Sequence, residues 1–277
     1  MPRRSPVAVL GGTFDRLHVG HKALLDAAFA RGGAVGVGVT TDRFLRSRRK
    51  AHARRLRPYR ARLRAVRRYL AARYPRRRWW TVPLDDPWGG SVLPGVDLLV
   101  VSEETRSGAD RVNAERARRG LAPVAVHAIP RVRGDDLLPV SASRIRAGAI
   151  DAEGRRLRRL AVGLLADAPA AWADAVRAAA ERAWGAAVPL RWVRRRASAG
   201  RRRGARARRT VADRALRARG TAEYGIALLA PDPRGGELAI ADADGAVGRP
   251  VRLARASSIG PAVDRLLGAR QRRVRRP

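Results

Sequence analysis

The chain of 277 residues contains no cysteine, which excludes disulfide bonds, thiolate metal ligands and cysteine nucleophiles. Aromatic residues make up only 5% of it, few for a protein that would stack the bases of single-stranded nucleic acid. No apolar run approaches the roughly 18–20 residues of a membrane-spanning helix. The basic N-terminus leads into a strand and a polar loop instead of the apolar core of a signal peptide. We therefore expect a soluble, cytoplasmic protein without a membrane partner.

Acidic residues are scarce compared with basic ones. Lys and Arg number 60, of which only two are lysine, against 24 Asp and Glu, so the formal net charge is +36. Such an excess favours polyanionic partners such as nucleic acid or phosphorylated metabolites. The arginines are nevertheless spread along the whole chain, which is typical of a compositional bias rather than of a designed patch. We expect at most weak, nonspecific nucleic-acid binding from this excess.

The first half of the chain alternates strand-like and helix-like patterns. Apolar residues recur at helical spacing around Leu25 and around Val66, and a further helix is predicted over 109–119. Apolar runs that are bounded by turns and separated by helices indicate a parallel sheet covered on both faces. The predicted class is α/β, a Rossmann-like, doubly wound sheet of five parallel strands. These strands are expected at 6–10, 34–39, 79–82, 96–101 and 124–129.

A polar, charged stretch at 151–159 predicts a domain boundary, with one domain over 1–153 and another over 154–277. The second part has its own cycle of patterns, which indicates a second, smaller α/β domain. The expected elements are a strand at 160–165, a helix at 170–184, an arginine-rich stretch at 194–209, a short helix to Arg219, a hairpin of 224–230 with 237–241 and a helix at 261–267.

The most informative segment is the loop between the first strand and the first helix, residues 11–22 with the sequence GGTFDRLHVGHK. Open α/β sheets bind ligands at this edge. Glycines let the backbone approach a phosphate, and the helix N-terminus offers free N–H groups. His18 and His21 are two of only four histidines in the chain. There are two alternatives for this pair. The histidines could be packing residues, or they could bind a metal ion, although the sequence offers no cysteine and no nearby third ligand.

This string resembles the signature of the nucleotidyltransferase superfamily that has the His-x-Gly-His motif. Residues 139–148, PVSASRIRAG, are similar to the Ile-Ser-Ser-Thr-x-Ile-Arg element of that superfamily. Segments 82–89 and 100–109, with Asn113 and 120–123, resemble the archaeal-type phosphopantetheine adenylyltransferases in particular. The resemblance covers about residues 5–153. It implies an enzyme of coenzyme A biosynthesis, which transfers AMP from ATP to 4′-phosphopantetheine and yields dephospho-coenzyme A and pyrophosphate.

The resemblance also implies roles for individual residues. The acceptor phosphate is already ionised, so the site must supply alignment and charge stabilisation rather than a base. We expect the catalytic residues to be Thr13, His18 and His21. The ATP phosphates are expected at Gly11, Gly12, Thr13, His18, His21, Lys22, Ser141, Ser143 and Arg146, and the acceptor at Lys50, Arg62, Thr105 and Arg106. Mg²⁺ is expected as the companion ion of ATP, so no metal-binding residue is assigned.

Residues 160–277 resemble the inosine/xanthosine triphosphatase-type NTP phosphatases more faintly. At the positions where such enzymes hold phosphate and Mg²⁺, this chain has Ala168, Ala171 or Trp172, the arginines of 201–209 and Leu229. Because hydrolysis without carboxylates lacks a held metal ion, we expect a degenerate, inactive domain. Three alternatives stay open: a bifunctional adenylyltransferase/NTP phosphatase, a sister nucleotidyltransferase acting on FMN or nicotinamide mononucleotide, and a basic RNA-associating protein.

Overall fold

In the computed structural model the chain forms two compact units. The first unit comprises Met1–Val132, Pro139–Ala147 and Ala152–Gly154, and the second comprises Arg133–Leu138, Gly148–Asp151 and Arg155–Pro277. The structure describes residues 5–47, 56–167, 170–185, 188–194, 215–216, 219, 222–232, 235–242, 244–254 and 256–272. Within these ranges no helix combines the length and the apolar character needed to cross a membrane.

Five parallel strands form the sheet of the first unit, in the order β3-β2-β1-β4-β5. Every residue of β2 is buried, as expected for a strand covered on both faces. The predicted Rossmann-like, doubly wound class is thereby confirmed. The strands are β1 (Val7–Gly12), β2 (Ala34–Thr40), β3 (Arg78–Leu84), β4 (Leu98–Ser102) and β5 (Ala125–Ile129).

Helices cover both faces of this sheet through two separate apolar clusters. One cluster joins α1 and α3 to one face, through residues such as Phe29, Leu70 and Val37. The other joins α4 to the opposite face, where Val112 and Leu99 take part. The helices are α1 (Val19–Arg31), α2 (Asp42–Ser47), α3 (Tyr59–Arg73), α4 (Arg106–Arg118) and α5 (Ala142–Arg146). Both α2 and α5 are too short for periodicity to predict them.

The second unit contains a mixed sheet in the order β10-β9-β8-β6-β7, with β11 pairing to β9. β8 and β9 form the expected antiparallel hairpin, while β6 pairs in parallel with β7 and β8. The elements are β6 (Leu160–Asp167), α6 (Ala170–Trp184), β7 (Leu190–Arg194), β8 (Tyr224–Asp232), β9 (Gly235–Asp242), β10 (Gly245–Ala246), β11 (Val251–Leu253) and α7 (Ile259–Arg272). The arginine-rich stretch 195–209 and most of the helix expected before Arg219 lie outside the described residues.

Two short segments that precede residue 153, Arg133–Leu138 and Gly148–Asp151, cluster with the second unit. The reason is apolar burial, because Leu137 and Leu138 belong to the core of that unit. The Tyr224 hydroxyl donates a hydrogen bond to the Asp136 carbonyl oxygen at 3.0 Å and so fixes the first segment. Between residues 133 and 155 the chain therefore alternates between the two units, and the boundary expected between 153 and 154 lies within this stretch.

Candidate functional site

The loop that follows β1 has an unusual backbone. Phe14 and Arg16 have φ values of 51° and 49°, in the left-handed region that side chains disfavour by roughly 1–2 kcal/mol each. The Phe14 ring is buried in the core below the loop. A Cβ added to Gly12 would lie 3.2 Å from this ring, so a residue without a side chain suits this turn. The turn brings Thr13 and His18 to the carboxyl end of the sheet.

His18 and His21 lie together where α1 begins. Their ring centroids are 3.8 Å apart and the ring planes differ by 27°, so the two imidazoles stack. Gly20 lies between them in sequence, and a Cβ there would come within 3.1 Å of the His18 ring. The Val19 amide donates to the Ala152 carbonyl oxygen at 2.9 Å and anchors the first turn of the helix.

Burial keeps both histidines neutral at physiological pH. For His18, burial lowers the pKa to about 4, with Asp15 raising it and Lys22 lowering it further. For His21, burial and the neighbouring His18 lower the pKa to about 3. A neutral imidazole still offers one N–H donor, so this pair can donate hydrogen bonds without carrying charge.

Buried polar atoms without a hydrogen-bond partner are concentrated in the same loop. In the part of the chain that the structure describes, three such side-chain atoms occur: Arg16 Nε, His18 Nδ1 and His21 Nδ1. Each unsatisfied buried group costs about 1–3 kcal/mol, and native proteins keep few of them. Their clustering within six residues marks this loop as a place where the protein leaves buried polar groups unsatisfied.

The second motif contacts the first through an ion pair. Arg146 donates a hydrogen bond from Nη1 to Asp15 Oδ2, and Asp15 is 1% exposed. Ser141 caps α5 by accepting a hydrogen bond from the Arg144 amide at 3.4 Å, and its hydroxyl lies 2.9 Å from that of Ser143. The structure thus brings the predicted phosphate-binding residues of both motifs into one region.

Arg62 differs from its expected role as an acceptor contact. Its guanidinium is fully buried and donates to the carbonyl oxygens of Thr13 and Thr40 at 2.7 Å each. It also donates to the Arg57 carbonyl oxygen at 2.8 Å and to Asp42 at 2.7 Å. With its donors committed to the protein, Arg62 supports the loop from below, and direct contact with an acceptor does not fit this geometry.

A groove of about 860 Å³ begins at this loop and runs over the sheet face that α4 partly covers. Its floor is open because β2 has glycine at alternate positions, Gly36 and Gly38. The Trp80 indole lies over Gly36 and is 42% exposed. Gly11, Gly12 and Thr13 line the groove, and they belong to the loop over residues 11–22, which we call the histidine loop. The groove is largely apolar, with polar residues such as Thr13 and Thr105 in its lining.

The other residues predicted to bind ATP or the acceptor lie at separate places. Lys22 pairs with Glu153 at 3.2 Å on the surface. Thr105 lines the groove, and its hydroxyl donates to the Ser102 carbonyl oxygen at 3.2 Å. Arg106 begins α4 and is exposed. Lys50 lies outside the described residues.

Known proteins are similar to the part of the chain that contains both motifs. The family described as "Cytidylyltransferase-like" matches residues 9–148, about half of the chain, including both motifs. The chain belongs to the cytidylyltransferase-like family. A "Phosphopantetheine adenylyltransferase" of Methanothermobacter thermautotrophicus is 37% identical over 161 residues, which are 58% of this chain and 94% of that protein.

Two further proteins are similar to this chain. The "Bifunctional phosphopantetheine adenylyltransferase/NTP phosphatase" of Thermoplasma volcanium is 35% identical over 159 residues, 57% of this chain and 47% of that protein. A solved structure, "the protein with unknown function from Archaeoglobus fulgidus", is 34% identical with a TM-score of 0.40 and covers 45% of this chain and 88% of that one. The match to the bifunctional protein thus spans about half of that protein's length.

The sequence analysis assigned no role to several residues that the structure places at this site. Asp15 and Arg16 stood inside the quoted motif, but nothing local showed that Asp15 would pair with a residue 131 positions away. The groove had a visible signal, because glycine at every second position of β2 leaves one strand face bare. A residue-by-residue reading for this alternation could have found Gly36 and Gly38.

Proposed function

We propose that this protein transfers AMP from ATP to 4′-phosphopantetheine, forming dephospho-coenzyme A and pyrophosphate. An oxygen of the acceptor phosphate attacks the α-phosphorus of ATP, the bond to the bridging oxygen breaks, and pyrophosphate leaves with the electron pair. The observation that carries the proposal is the stacked pair of His18 and His21 at the start of α1. The same loop is joined to the second motif by the ion pair of Asp15 with Arg146, so both motifs could contact one triphosphate.

The two histidines suit the transition state of this reaction. Negative charge moves onto the α-phosphate oxygens and the departing pyrophosphate, and preorganised donors stabilise it most. Because burial lowers the pKa of His18 to about 4 and that of His21 to about 3, both imidazoles are neutral and each offers one N–H donor. We assign His18 and His21 to the α- and β-phosphate oxygens.

The second motif suits the outer phosphates. Ser141 and Ser143 present hydroxyl groups beside each other, and the Asp15 carboxylate orients Arg146. We assign these hydroxyl groups and the Arg146 guanidinium to the β- and γ-phosphates. Gly11, Gly12 and Lys22 would complete this cradle. Mg²⁺ would enter as part of the ATP substrate, bound by phosphate oxygens.

The groove supports an elongated acceptor with a phosphate at one end. Pantetheine is a long arm with amide groups, and a largely apolar groove of about 860 Å³ can hold it while its phosphate reaches Thr13. Thr105 lines the groove and Arg106 follows it in the chain, and both remain candidates for acceptor contacts. Lys50 keeps its assignment to the acceptor phosphate as a sequence-based proposal.

For the second unit we propose a role without NTP hydrolysis. Ala168 and residues 201–209, which would replace the phosphate-gripping and metal-binding residues, lie outside the described residues. Trp172 packs against the core of the unit, which fits a structural side chain. We also propose that the arginine excess binds nucleic acid weakly and without sequence specificity. The proposed location of the protein is the cytoplasm.

The test is a pyrophosphate-release assay with ATP and a panel of acceptors: 4′-phosphopantetheine, FMN and nicotinamide mononucleotide. We expect phosphopantetheine to give the fastest release and dephospho-coenzyme A as the product. Faster turnover with FMN or nicotinamide mononucleotide would show that the acceptor belongs to a sister enzyme. No pyrophosphate with any acceptor would favour the noncatalytic alternative.

A further inference from the structure

The exposed face of α3 has a charge pattern that the general arginine excess does not explain. Residues 43–84 carry 17 of the 60 Lys and Arg residues but none of the 24 Asp and Glu residues. Arginine occurs along the whole chain, whereas Asp and Glu are absent from this segment. Four exposed arginines lie on the outward side of α3, which we call the α3 stripe: Arg60, Arg64, Arg67 and Arg68.

Other helices of similar length balance their arginines. In α4, Glu115 pairs with Arg118 at 2.9 Å and with Arg119 just beyond the helix at 2.8 Å. In α6, Asp174 pairs with Arg177 at 2.7 Å. A bias toward arginine codons would act on all helices alike, so the lack of acids in α3 is a separate feature.

Within the described residues, the α3 stripe has no carboxylate partner. Arg67 donates to the Thr81 hydroxyl at 2.9 Å, and no ion pair forms at the other three. Arg60, Arg64 and Arg68 are spaced four residues apart, so like charges face each other on successive turns, which destabilises an isolated helix. A bound polyanion would remove this repulsion.

We propose that the α3 stripe binds the phosphate backbone of a nucleic-acid duplex without reading its sequence. Guanidinium groups spaced four residues apart recur about every 6 Å along the helix, so several can contact phosphates of one backbone at once. This function is separate from nucleotidyl transfer, because none of the stripe residues has a role in the site of the two motifs.

The surroundings of the stripe distinguish a duplex from other polyanions. The two tyrosines inside α3, Tyr59 and Tyr69, pack against the core, so the face offers no aromatic platform for unpaired bases. The apolar residues of α3, such as Val66 and Leu70, are buried beneath the helix. Among the described residues of α3, no large apolar side chain is exposed for insertion into a membrane.

The experiment measures fluorescence anisotropy of a labelled 24-base-pair DNA duplex with the full chain between 50 and 200 mM salt. In the variant R60Q/R64Q/R68Q we expect at least tenfold weaker binding at 100 mM salt. The slope of log K against log salt should become shallower by about 3, since each lost phosphate contact removes about 0.9. The single variant Arg64→Gln should make the slope shallower by about 1, and it replaces the triple variant if that variant folds poorly.

The matched control is R31Q/R118Q/R119Q, which removes the same charge from exposed arginines of the first unit. We expect it to weaken binding less than threefold and the stripe variant to melt no lower than the wild type. Equal weakening by both variants would assign the binding to overall charge and overturn the proposal. So would absent duplex binding by the wild type, tighter binding to a single-stranded oligonucleotide, or preference for phosphatidylserine vesicles.

Discussion

Two buried polar sites of this protein, one in each unit, are satisfied to different extents. In the second unit, Arg156 is almost fully buried and donates to Asp136 at 2.8 Å and to Glu223 at 2.7 Å. Burial lowers the pKa of Arg156, but Glu223 and Asp136 more than offset this, so the pKa is raised. In the first unit, His18 and His21 each leave a buried ring nitrogen without a partner.

This difference separates a buried charge that the protein pairs from buried ring nitrogens that it leaves unpaired. A buried charge whose partners are supplied by the protein adds to the cohesion of its unit. A buried donor or acceptor without a partner costs stability. The comparison thus predicts a stabilising role for the network around Arg156, whereas the histidine loop is the place proposed for the chemistry.

The largest expected effect is on the stability of the second unit. Arg156→Met should lower its free energy of unfolding by about 3–5 kcal/mol, because the buried Asp136 would lose the guanidinium that pairs with it at 2.8 Å. Urea unfolding measures this change. Arg177→Met is the control, since its pair with Asp174 is partly exposed and should cost less than about 1 kcal/mol. Similar values for both variants would contradict the stabilising role assigned to the buried network around Arg156.

In the histidine loop, His21→Ala should reduce turnover roughly 10²–10³-fold while ATP binding changes less, as expected for the loss of one transition-state donor. Pyrophosphate release at saturating substrates and nucleotide titration separate the two quantities. His127→Ala, in β5, is the control and should keep wild-type turnover. Near wild-type turnover of His21→Ala would remove the central assignment.

The neutral histidines also predict how stability depends on pH. Their folded pKa values of about 4 and 3 lie below the unfolded value of 6.5, so the unfolded chain binds more protons in between. Stability is therefore complete above pH 6.5 and is lost as the pH falls, by up to about 1.4 kcal/mol per pH unit for each histidine. Urea unfolding at pH 7, 6, 5 and 4 tests this.

The variant H18N/H21N isolates that contribution from the carboxylates elsewhere in the chain. Its stability should fall less steeply between pH 6.5 and 4 than that of the wild type. Identical slopes would mean that the histidines are not buried in the neutral form.

A smaller effect is expected for the support beneath the loop. Arg62→Lys should lower kcat about tenfold, because a lysine cannot donate to Thr13 and Thr40 with the same planar fork, and small displacements of aligned groups are costly. Arg77→Lys is the control: Arg77 donates to the Phe29 and Gly32 carbonyl oxygens before β3, at the opposite edge of the sheet. A lower melting temperature of Arg62→Lys with unchanged kcat would reduce Arg62 to a structural role.

The smallest expected signal is hydrolysis by the second unit. The full chain carrying His21→Ala should show no Mg²⁺-dependent hydrolysis of ITP or XTP above a buffer control. Phosphate and pyrophosphate release are the readouts. Clear hydrolysis would make the protein bifunctional, and the loss of carboxylates inferred from Leu229 and residues 201–209 would be wrong.

Local pattern was sufficient for much of the fold. The five strands of the first sheet and the bounds of α6 agree with the sequence, because side-chain periodicity and flanking turns are properties of neighbouring residues. β7 was missed, since Arg191 and Arg194 interrupt its apolar residues. The segment Arg133–Leu138 belongs to the second unit for a reason that only the completed core provides.

By itself, the sequence determined the fold class and the chemical character of the site. Strand alternation, glycine placement and the two motifs each lie within a short segment of the chain, so they can be recognised without tertiary structure. Tertiary structure decided which groups act together. Asp15 meets Arg146 across 131 positions, and Arg62 reaches Thr13 across 49. The burial that neutralises His18 and His21 depends on the whole packed unit. Such contacts and environments arise only when distant parts of the chain are brought together, so no local pattern could specify them.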